Sequence, residues 1–297
     1  VAESVNPTIF GYFAGGQSPG TLSTVERIDY SNDTATASVK GPLSSSKYAF
    51  AATSSSFFGY FAGGRGPTKS SVFRIDYSND TATPAATGDL SVPMEKFAAT
   101  SNASFGFFAG GPSLTTISRI DYSNDTATAT AKGPLAAVGT YLAGTGNASF
   151  GYFGGGETSS GPNTSTIQRF DYANDTTTAS SKLSLVKKQL AATSSLTHGY
   201  FGGGAPGFES TVDRLDYSND TVDAVTVGPL LNGRFNHAAT GNASFGYFGA
   251  GQRFNHISSL DRIDYSNDTA TASPKGPLSI ARQYLAASSA GVNALPQ

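Results

Sequence analysis

The chain has 297 residues, a formal net charge of −2 and only 13% charged residues, so it lacks the basic surface of a protein that binds nucleic acid or anionic membranes. It contains no cysteine, which excludes disulfides, thiolate metal sites and cysteine nucleophiles. No apolar run approaches the roughly 18 residues that span a bilayer, so membrane insertion is not expected. Abundant Gly, Thr, Tyr and Phe indicate an all-β protein.

One sequence pattern occurs six times along the chain. Its aspartate recurs at intervals of 47, 45, 50, 45 and 48 residues, at Asp29, Asp76, Asp121, Asp171, Asp216 and Asp264. A period of this size is typical of propeller blades or solenoid units. We predict a six-bladed β-propeller of four-stranded antiparallel blades, forming a single domain over residues 1–297. The repeats span approximately residues 10–56, 57–104, 105–149, 150–197, 198–244 and 245–288.

The first repeat shows the predicted elements in chain order. A second strand begins at Phe10, and Gly11 inside it indicates close approach of a neighbouring blade. The third strand covers residues 25–30, an Asn-Asp turn follows at residues 31–33, and the outer fourth strand is expected at residues 34–37. Small residues then predict an innermost strand at the crowded ring axis.

The chain begins near a second strand and ends with a strand of the innermost type. Residues 282–288 have the small-residue pattern of the innermost strands. We therefore expect this segment to complete the blade that begins at Phe10 and to close the ring.

The repeat resembles the kelch repeat in the order of its motifs. Gly15-Gly16 matches the diglycine that ends the second strand, and Val25 to Asp29 matches the third strand. Arg234 to Ala239 is similar to the innermost-strand motif, whereas Ala35 occupies the position expected for the kelch tryptophan. The resemblance implies a propeller fold. The repeat is also similar to that of kelch-like proteins from marine phages and marine microbes.

Polar residues repeated in all six units are expected to be structural. Arg27 and Asp29 lie on one face of a strand, which predicts a ring of ion pairs between blades. The Asn-Asp turns also form glycosylation acceptor patterns, but repeated turn chemistry accounts for them. Their asparagines are Asn32, Asn79, Asn124, Asn174, Asn219 and Asn267, and Asn102, Asn147 and Asn242 begin further Asn-Ala-Ser patterns. No metal site is predicted.

The sequence offers few candidate catalytic side chains, so no catalytic residue and no cofactor are predicted. The three histidines, His198, His237 and His256, occupy different positions of the repeat. Glu157 and Glu209 are isolated loop carboxylates, and no carboxylate pair, catalytic triad or metal-ligand spacing is found.

Loops that differ between the repeats are the candidate contact surface, because rigid scaffolds usually place recognition on loops. The predicted ligand-binding residues belong to the fifth and sixth blades: Phe208, Glu209, Arg234, Phe235, Asn236, Arg253, Phe254, Asn255 and His256. We expect a non-catalytic binding or structural propeller, extracellular or on a virion surface, attached to a glycan or surface protein. Alternatives are a carbohydrate-active enzyme and an assembly module among other virion or fibre subunits.

Overall fold

The structure is a computed structural model that describes residues 10–66 and 69–290. Within these residues, six four-stranded antiparallel sheets are arranged radially. Each innermost strand contacts the innermost strand of the next sheet, and the sixth contacts the first. The chain is therefore a closed six-bladed β-propeller, which confirms the predicted fold.

Each blade runs from an innermost strand at the axis to an outer strand at the rim. The innermost strands of blades 1 to 6 are Ala286–Ala290, Ala51–Ser54, Ala98–Ser101, Ala143–Gly146, Ala191–Ser194 and Ala238–Gly241. The second strands are Phe10–Ala14, Phe58–Ala62, Phe105–Ala109, Phe150–Gly154, His198–Gly202 and Phe245–Gly249.

The third and outer strands follow in the same blade order. The third strands are Val25–Asp29, Val72–Asp76, Ile117–Asp121, Thr166–Asp171, Val212–Asp216 and Leu260–Asp264. The outer strands are Ser38–Val39, Ala85–Ala86, Thr130–Lys132, Thr176–Lys182, Val225–Val227 and Ser273–Lys275. The remaining regular elements of the described residues are a hairpin of Gln17–Ser18 and Gly20–Thr21 and the 3-10 turns Tyr30–Asn32 and Tyr265–Asn267. Residues 10–66 and 69–290 include no helix long and apolar enough to cross a membrane.

Aromatic side chains of the second strands fill the space between neighbouring blades. All five residues of the second strand of blade 1 are buried, and Tyr12 stacks on Tyr77 of blade 2 with ring centroids 5.0 Å apart. A Cβ on Gly11 would lie 2.5 Å from Oη of Tyr30 and 2.8 Å from Cγ2 of Thr240 in blade 6. The close approach that Gly11 predicts is therefore confirmed.

The C-terminal strand closes the ring. Ala286–Ala290 pairs antiparallel with Phe10–Ala14, so the predicted closing strand is confirmed, although it starts four residues after Arg282. Arg282 lies in the connection to that strand. Its side chain is fully buried, with Nη2 2.8 Å from Oε2 of Glu26 in blade 1.

The outer strand of blade 1 differs from the prediction. It was expected at residues 34–37, whereas the structure has it at Ser38–Val39. The backbone N–H of Ala37 donates instead to the carbonyl oxygen of Pro277 in blade 6, at 2.9 Å. The prediction was wrong because this segment hydrogen-bonds to the neighbouring blade and not to its own third strand.

The repeated arginine and aspartate form ion pairs between blades, but with a different acid from the one expected. Arg27 Nη1 lies 2.8 Å from Oδ2 of Asp80 in blade 2. Asp29 instead accepts hydrogen bonds from the N–H of Ser31 at 2.8 Å and from its Oγ at 2.6 Å. The first repeated aspartate therefore caps the turn, and the second one pairs with the neighbouring blade.

Five of the six junctions between blades share this arrangement, and we call them the polar junctions. Their ion pairs, at 2.7–3.2 Å, are Arg27–Asp80, Arg74–Asp125, Arg169–Asp220, Arg214–Asp268 and Arg262–Asp33. In each, a second-strand tyrosine also donates to the aspartate, as Tyr12 Oη does to Asp80 at 3.0 Å. Burial raises the pKa of Tyr12 far above its usual value, so the hydroxyl remains a donor.

The junction between blades 3 and 4 is built without this unit, and we call it the apolar junction. Its second-strand residue is Phe107, which lacks the hydroxyl, and Asp175 has a φ of +54° and pairs with Lys132 at 2.8 Å. Phe170 stands where the other blades have Ile or Leu, and its ring packs on Phe107 with centroids 5.4 Å apart. A larger apolar contact replaces the polar one here.

Candidate binding surface

The two faces of the ring differ in how much the blades vary. The turn face carries the Asn-Asp turns after the third strands, with nearly the same residues in each blade. The loop face carries the loops between second and third strands and the connections from outer to innermost strands. Differences in length and residue type are concentrated on the loop face, where a rigid scaffold usually presents binding residues.

Three phenylalanines from separate segments meet on the loop face of blades 5 and 6. Phe208 stacks on Phe235 with ring centroids 5.8 Å apart and contacts Phe254 with centroids 4.9 Å apart. Phe254 is 77% exposed, and the guanidinium carbon of Arg253 lies 5.7 Å from its ring centroid. We call these four residues the aromatic platform. The structure thus brings together four residues that the sequence identified as candidates.

Backbone contacts hold the aromatic platform in place. A Cβ on Gly233 would lie 1.8 Å from the carbonyl oxygen of Phe208, so only glycine permits this approach. Phe235 and Gln252 exchange two backbone hydrogen bonds, at 3.1 and 2.9 Å. Nη1 of Arg253 donates to the side-chain oxygen of Asn232 at 3.1 Å. The rings are therefore presented by a fixed arrangement of three chain segments.

Glu209, Asn255 and His256 lie in the same loops as the aromatic platform. Asn255 is exposed, whereas Glu209 and His256 are half-buried. The N–H of Arg253 donates to the carbonyl oxygen of Asn255 at 3.0 Å, which shapes the tip of the sixth-blade loop. Their part in ligand binding stays a prediction.

Arg234 is a correction to the predicted surface, because it is fully buried. Its Nη2 lies 2.9 Å from Oδ2 of Asp261, and its Nη1 donates to the carbonyl oxygen of Ser259 at 2.7 Å. Burial lowers the pKa of Arg234, and the facing carboxylate opposes that shift. Arg234 therefore joins the connection from blade 5 to blade 6 and has no surface open to a ligand.

Arg234 belongs to a set of equivalent positions, one in each connection. Three of them make fully buried ion pairs with the third strand of the following blade, at 2.8–2.9 Å: Lys187–Asp213, Arg234–Asp261 and Arg282–Glu26. In the connection to blade 3 the two positions are Met94 and Ser118, with Oγ 3.7 Å from the sulfur. Lys47 faces Phe73 at 5.0 Å, and burial lowers its pKa to about 8. At these positions a buried acid occurs only opposite a buried cation.

A second feature of the loop face surrounds the ring axis, and we call its six residues the axial mouth. One residue comes from each connection: Ala49, Lys96, Tyr141, Gln189, Asn236 and Tyr284. All six have φ between +55° and +60°. Each N–H donates to the carbonyl oxygen of its equivalent in the preceding blade at 2.7–3.1 Å, and the Ala49 N–H donates to Tyr284, so the six bonds close a circle.

Of the axial mouth, the sequence identified only Asn236. The residue type at its position varies between the blades, and this was the available signal. Variation alone does not reveal a left-handed backbone or convergence on an axis, so the other five residues were missed.

The residues considered for catalysis do not form a common site. Glu157 is ion-paired with Lys188. His237 is buried, and burial lowers its pKa well below the usual value. In the part of the chain that the structure describes, no group of three His, Asp or Glu side chains is placed to hold a metal ion.

The glycosylation acceptor patterns fall into two groups on the turn face. The asparagines of the Asn-Asp turns are exposed in all six blades. The side-chain oxygens of Asn102, Asn147 and Asn242 instead accept two backbone hydrogen bonds each, at 2.9–3.0 Å. These three residues stabilise their own turns.

Compared with known protein families, the chain matches no family model, and comparison with curated proteins gives no match either. The resemblance to kelch repeats therefore stays a prediction. On the loop face, the aromatic platform and the axial mouth are neighbours, because Phe235 of the platform and Asn236 of the mouth are consecutive residues.

Proposed function

We propose that this propeller is a non-catalytic binding module that attaches to a glycan through the aromatic platform. One observation carries the proposal: three phenylalanines are clustered at the surface, with Phe208 in contact with both Phe235 and Phe254, and Phe254 is 77% exposed. The strand phenylalanines equivalent to Phe13 are, in contrast, fully buried in all six blades. An exposed aromatic cluster on a soluble scaffold marks an interaction site.

The chemistry of the aromatic platform suits a sugar. The open face of Phe254 offers an apolar surface for the C–H face of a pyranose, and rigid aromatic side chains lose little conformational entropy on binding. Phe208 contacts that ring and is itself stacked on Phe235. Arg253 adds a fork of N–H donors for hydroxyl or carboxylate oxygens. Such a combination of aromatic residues and arginine is typical of binding hot spots.

The proposed setting is the exterior of a virion or cell. Low net charge and a sequence rich in Asn, Ser and Thr suit contact with glycans and not with nucleic acid or membranes. The kelch-like repeat and its similarity to proteins of marine phages support the same setting. In this setting the ring binds its partner without a cofactor, alone or among other virion or fibre subunits.

Glycan-array binding of the purified ring tests the proposal. Phe254→Ala should weaken binding at least tenfold, or about 1.4 kcal/mol, because the stacking surface is lost. Phe57→Ala is the matched control, since Phe57 is 69% exposed but lies on the turn face. We expect this variant to bind like the unaltered protein.

Three results would contradict the proposal. They are glycan binding that survives Phe254→Ala, turnover of a bound glycan, and capture of a surface protein with no glycan recognised. Turnover would favour a carbohydrate-active enzyme, and the last result a protein receptor.

A further inference from the structure

We propose that the axial mouth is a second sugar subsite of the glycan that the aromatic platform holds. This subsite binds a uronic acid residue, a sugar that carries a carboxylate. This inference rests on the proposed glycan binding and names the class of glycan. It is carried by the residue types at the axial mouth, by the cavity they surround, and by a buried acceptor without a partner.

The residue types at the axial mouth are not those that the backbone favours. A φ near +57° disfavours residues with a Cβ, and glycine or asparagine adopts it most readily. The closed circle of hydrogen bonds uses only backbone atoms. Lys96, Tyr141, Gln189 and Tyr284 nevertheless occupy four of the six positions. Strained residues of this kind cluster at binding sites.

The axial mouth opens over a cavity of about 70 Å³. Its deeper wall is apolar except for His237, its rim is polar, and no carboxylate is among the residues that line it. The ammonium of Lys96 lies 4.8 Å from the ring centroid of Tyr141. No salt bridge within residues 10–66 and 69–290 engages Lys96, so its charge is available to an anionic group.

Asn236 supplies an acceptor that the fold does not satisfy. Its side chain is 5% exposed, and its Nδ2 donates to Oε1 of Gln283 at 2.9 Å. Its Oδ1 has no hydrogen-bond partner among the described residues, which is unfavourable for a buried oxygen. A sugar hydroxyl can donate to this oxygen, whereas a free carboxylate cannot.

Two tyrosines complete a surface that fits a sugar ring. The ring centroid of Tyr284 lies 6.4 Å from that of Tyr141 and 6.1 Å from that of Tyr48. Gln189 Nε2 donates to Oη of Tyr284 at 3.3 Å, which fixes its position. The tyrosine rings match the C–H face of one uronic acid, the Lys96 ammonium matches its carboxylate, and Asn236 Oδ1 matches one of its hydroxyls.

The loop face extends this subsite in two directions. On one side, Asn236 follows Phe235 of the aromatic platform in the chain. On the other, a groove of about 480 Å³ shares Lys96, Tyr141 and Gln189 with the axial mouth. A chain of several sugars therefore fits this surface better than a single sugar.

The test compares tri-galacturonic acid with the same trisaccharide after reduction of its carboxyl groups, by calorimetric titration of the full chain. We expect at least tenfold preference for the acidic form. Lys96→Gln should reduce that preference to less than twofold and leave the affinity for the reduced form unchanged, because only the carboxylate uses the ammonium.

A glycine substitution tests the acceptor without disturbing the backbone. Asn236→Gly retains a residue that tolerates positive φ and removes Oδ1, so the folded protein should bind both trisaccharides at least fivefold more weakly. Ala250→Gly is the matched control outside the axial mouth, because Ala250 has a φ of +58° and the other five blades have glycine at its position. It should leave both affinities unchanged.

The outcomes separate this inference from the proposed function. Equal affinity for both trisaccharides would overturn the axial subsite, and so would a preference for the acidic form that survives Lys96→Gln. The proposed function would still stand in either case if Phe254→Ala abolishes glycan binding. If neither trisaccharide binds and the array shows no glycan, both fail. If hexaglutamate binds with the same affinity as tri-galacturonic acid and this binding depends on Lys96, the assignment of the axial mouth to a sugar is overturned.

Discussion

The polar junction between blades 2 and 3 and the apolar junction between blades 3 and 4 solve the same packing problem with different residues. In the first, Asp125 accepts from Tyr60 Oη at 2.9 Å and from Arg74 Nη1 at 2.7 Å. In the second, Phe107 packs on Phe170 with ring centroids 5.4 Å apart. The tyrosine hydroxyl and the aliphatic residue change together, whereas the acid is retained as Asp175 and pairs with Lys132 of blade 3 instead of with an arginine.

In the connections, a buried acid occurs only opposite a buried cation. Arg282 faces Glu26 with both side chains fully buried, whereas the equivalent pair in blade 3 is Met94 and Ser118. Removing one member of a buried polar unit leaves the other unpaired, and this costs more than replacing both.

The largest effect is expected for Arg282→Met. This change leaves the Glu26 carboxylate buried without its cation, and we expect a loss of about 3–5 kcal/mol in the free energy of unfolding. Urea denaturation followed by circular dichroism measures it.

The matched control copies the pair of blade 3. Arg282→Met combined with Glu26→Ser should recover more than half of the loss, because no charge then remains unpaired. A double variant no more stable than the single one would show that these positions are not coupled.

A smaller effect on the free energy of unfolding is expected for two aspartates on the turn face, and it should differ between them. Asp125→Ala removes the acceptor of Tyr60 and Arg74 and should lower the free energy of unfolding by about 1–3 kcal/mol. Asp175→Ala breaks only a partly exposed pair with Lys132 and should cost less than about 1 kcal/mol. Urea denaturation of the two variants side by side measures both; equal losses would contradict the distinction between the two kinds of junction.

The last effect depends on pH and is small near neutrality. Burial lowers the pKa of His237 well below the usual value, so below about pH 6.5 the unfolded chain takes up a proton that the folded chain does not. His237 therefore makes stability fall as pH decreases from 6.5, by up to about 1.4 kcal/mol per pH unit.

The substitution that isolates this effect is His237→Phe, since Phe50 and Phe97 occupy the equivalent positions. Free energies of unfolding at pH 7, 6 and 5 should fall less steeply in the variant than in the unaltered protein. Parallel curves would mean that His237 has the same pKa in both states.

The repeat made the fold predictable, and the departures from the repeat made part of the surface predictable. The sixfold repeat of Phe10 and its counterparts predicted the blades of a ring, and Phe254 was identified because the sixth loop differs from the others. Arg234 was misplaced because a long cation in a variable segment resembles a surface residue until Asp261 is seen opposite it. Lys96 and Tyr284 were missed because their convergence depends on ring closure.

The circle of six backbone hydrogen bonds at the axial mouth has a consequence for the history of such rings. Every member both donates and accepts, so the circle has no end that must be capped. Duplication or loss of one whole repeat would leave each peptide group of the circle with a donor and an acceptor, so the circle does not itself limit the number of blades. Gain and loss of blades are thus open to a gene of this kind without new chemistry at the centre.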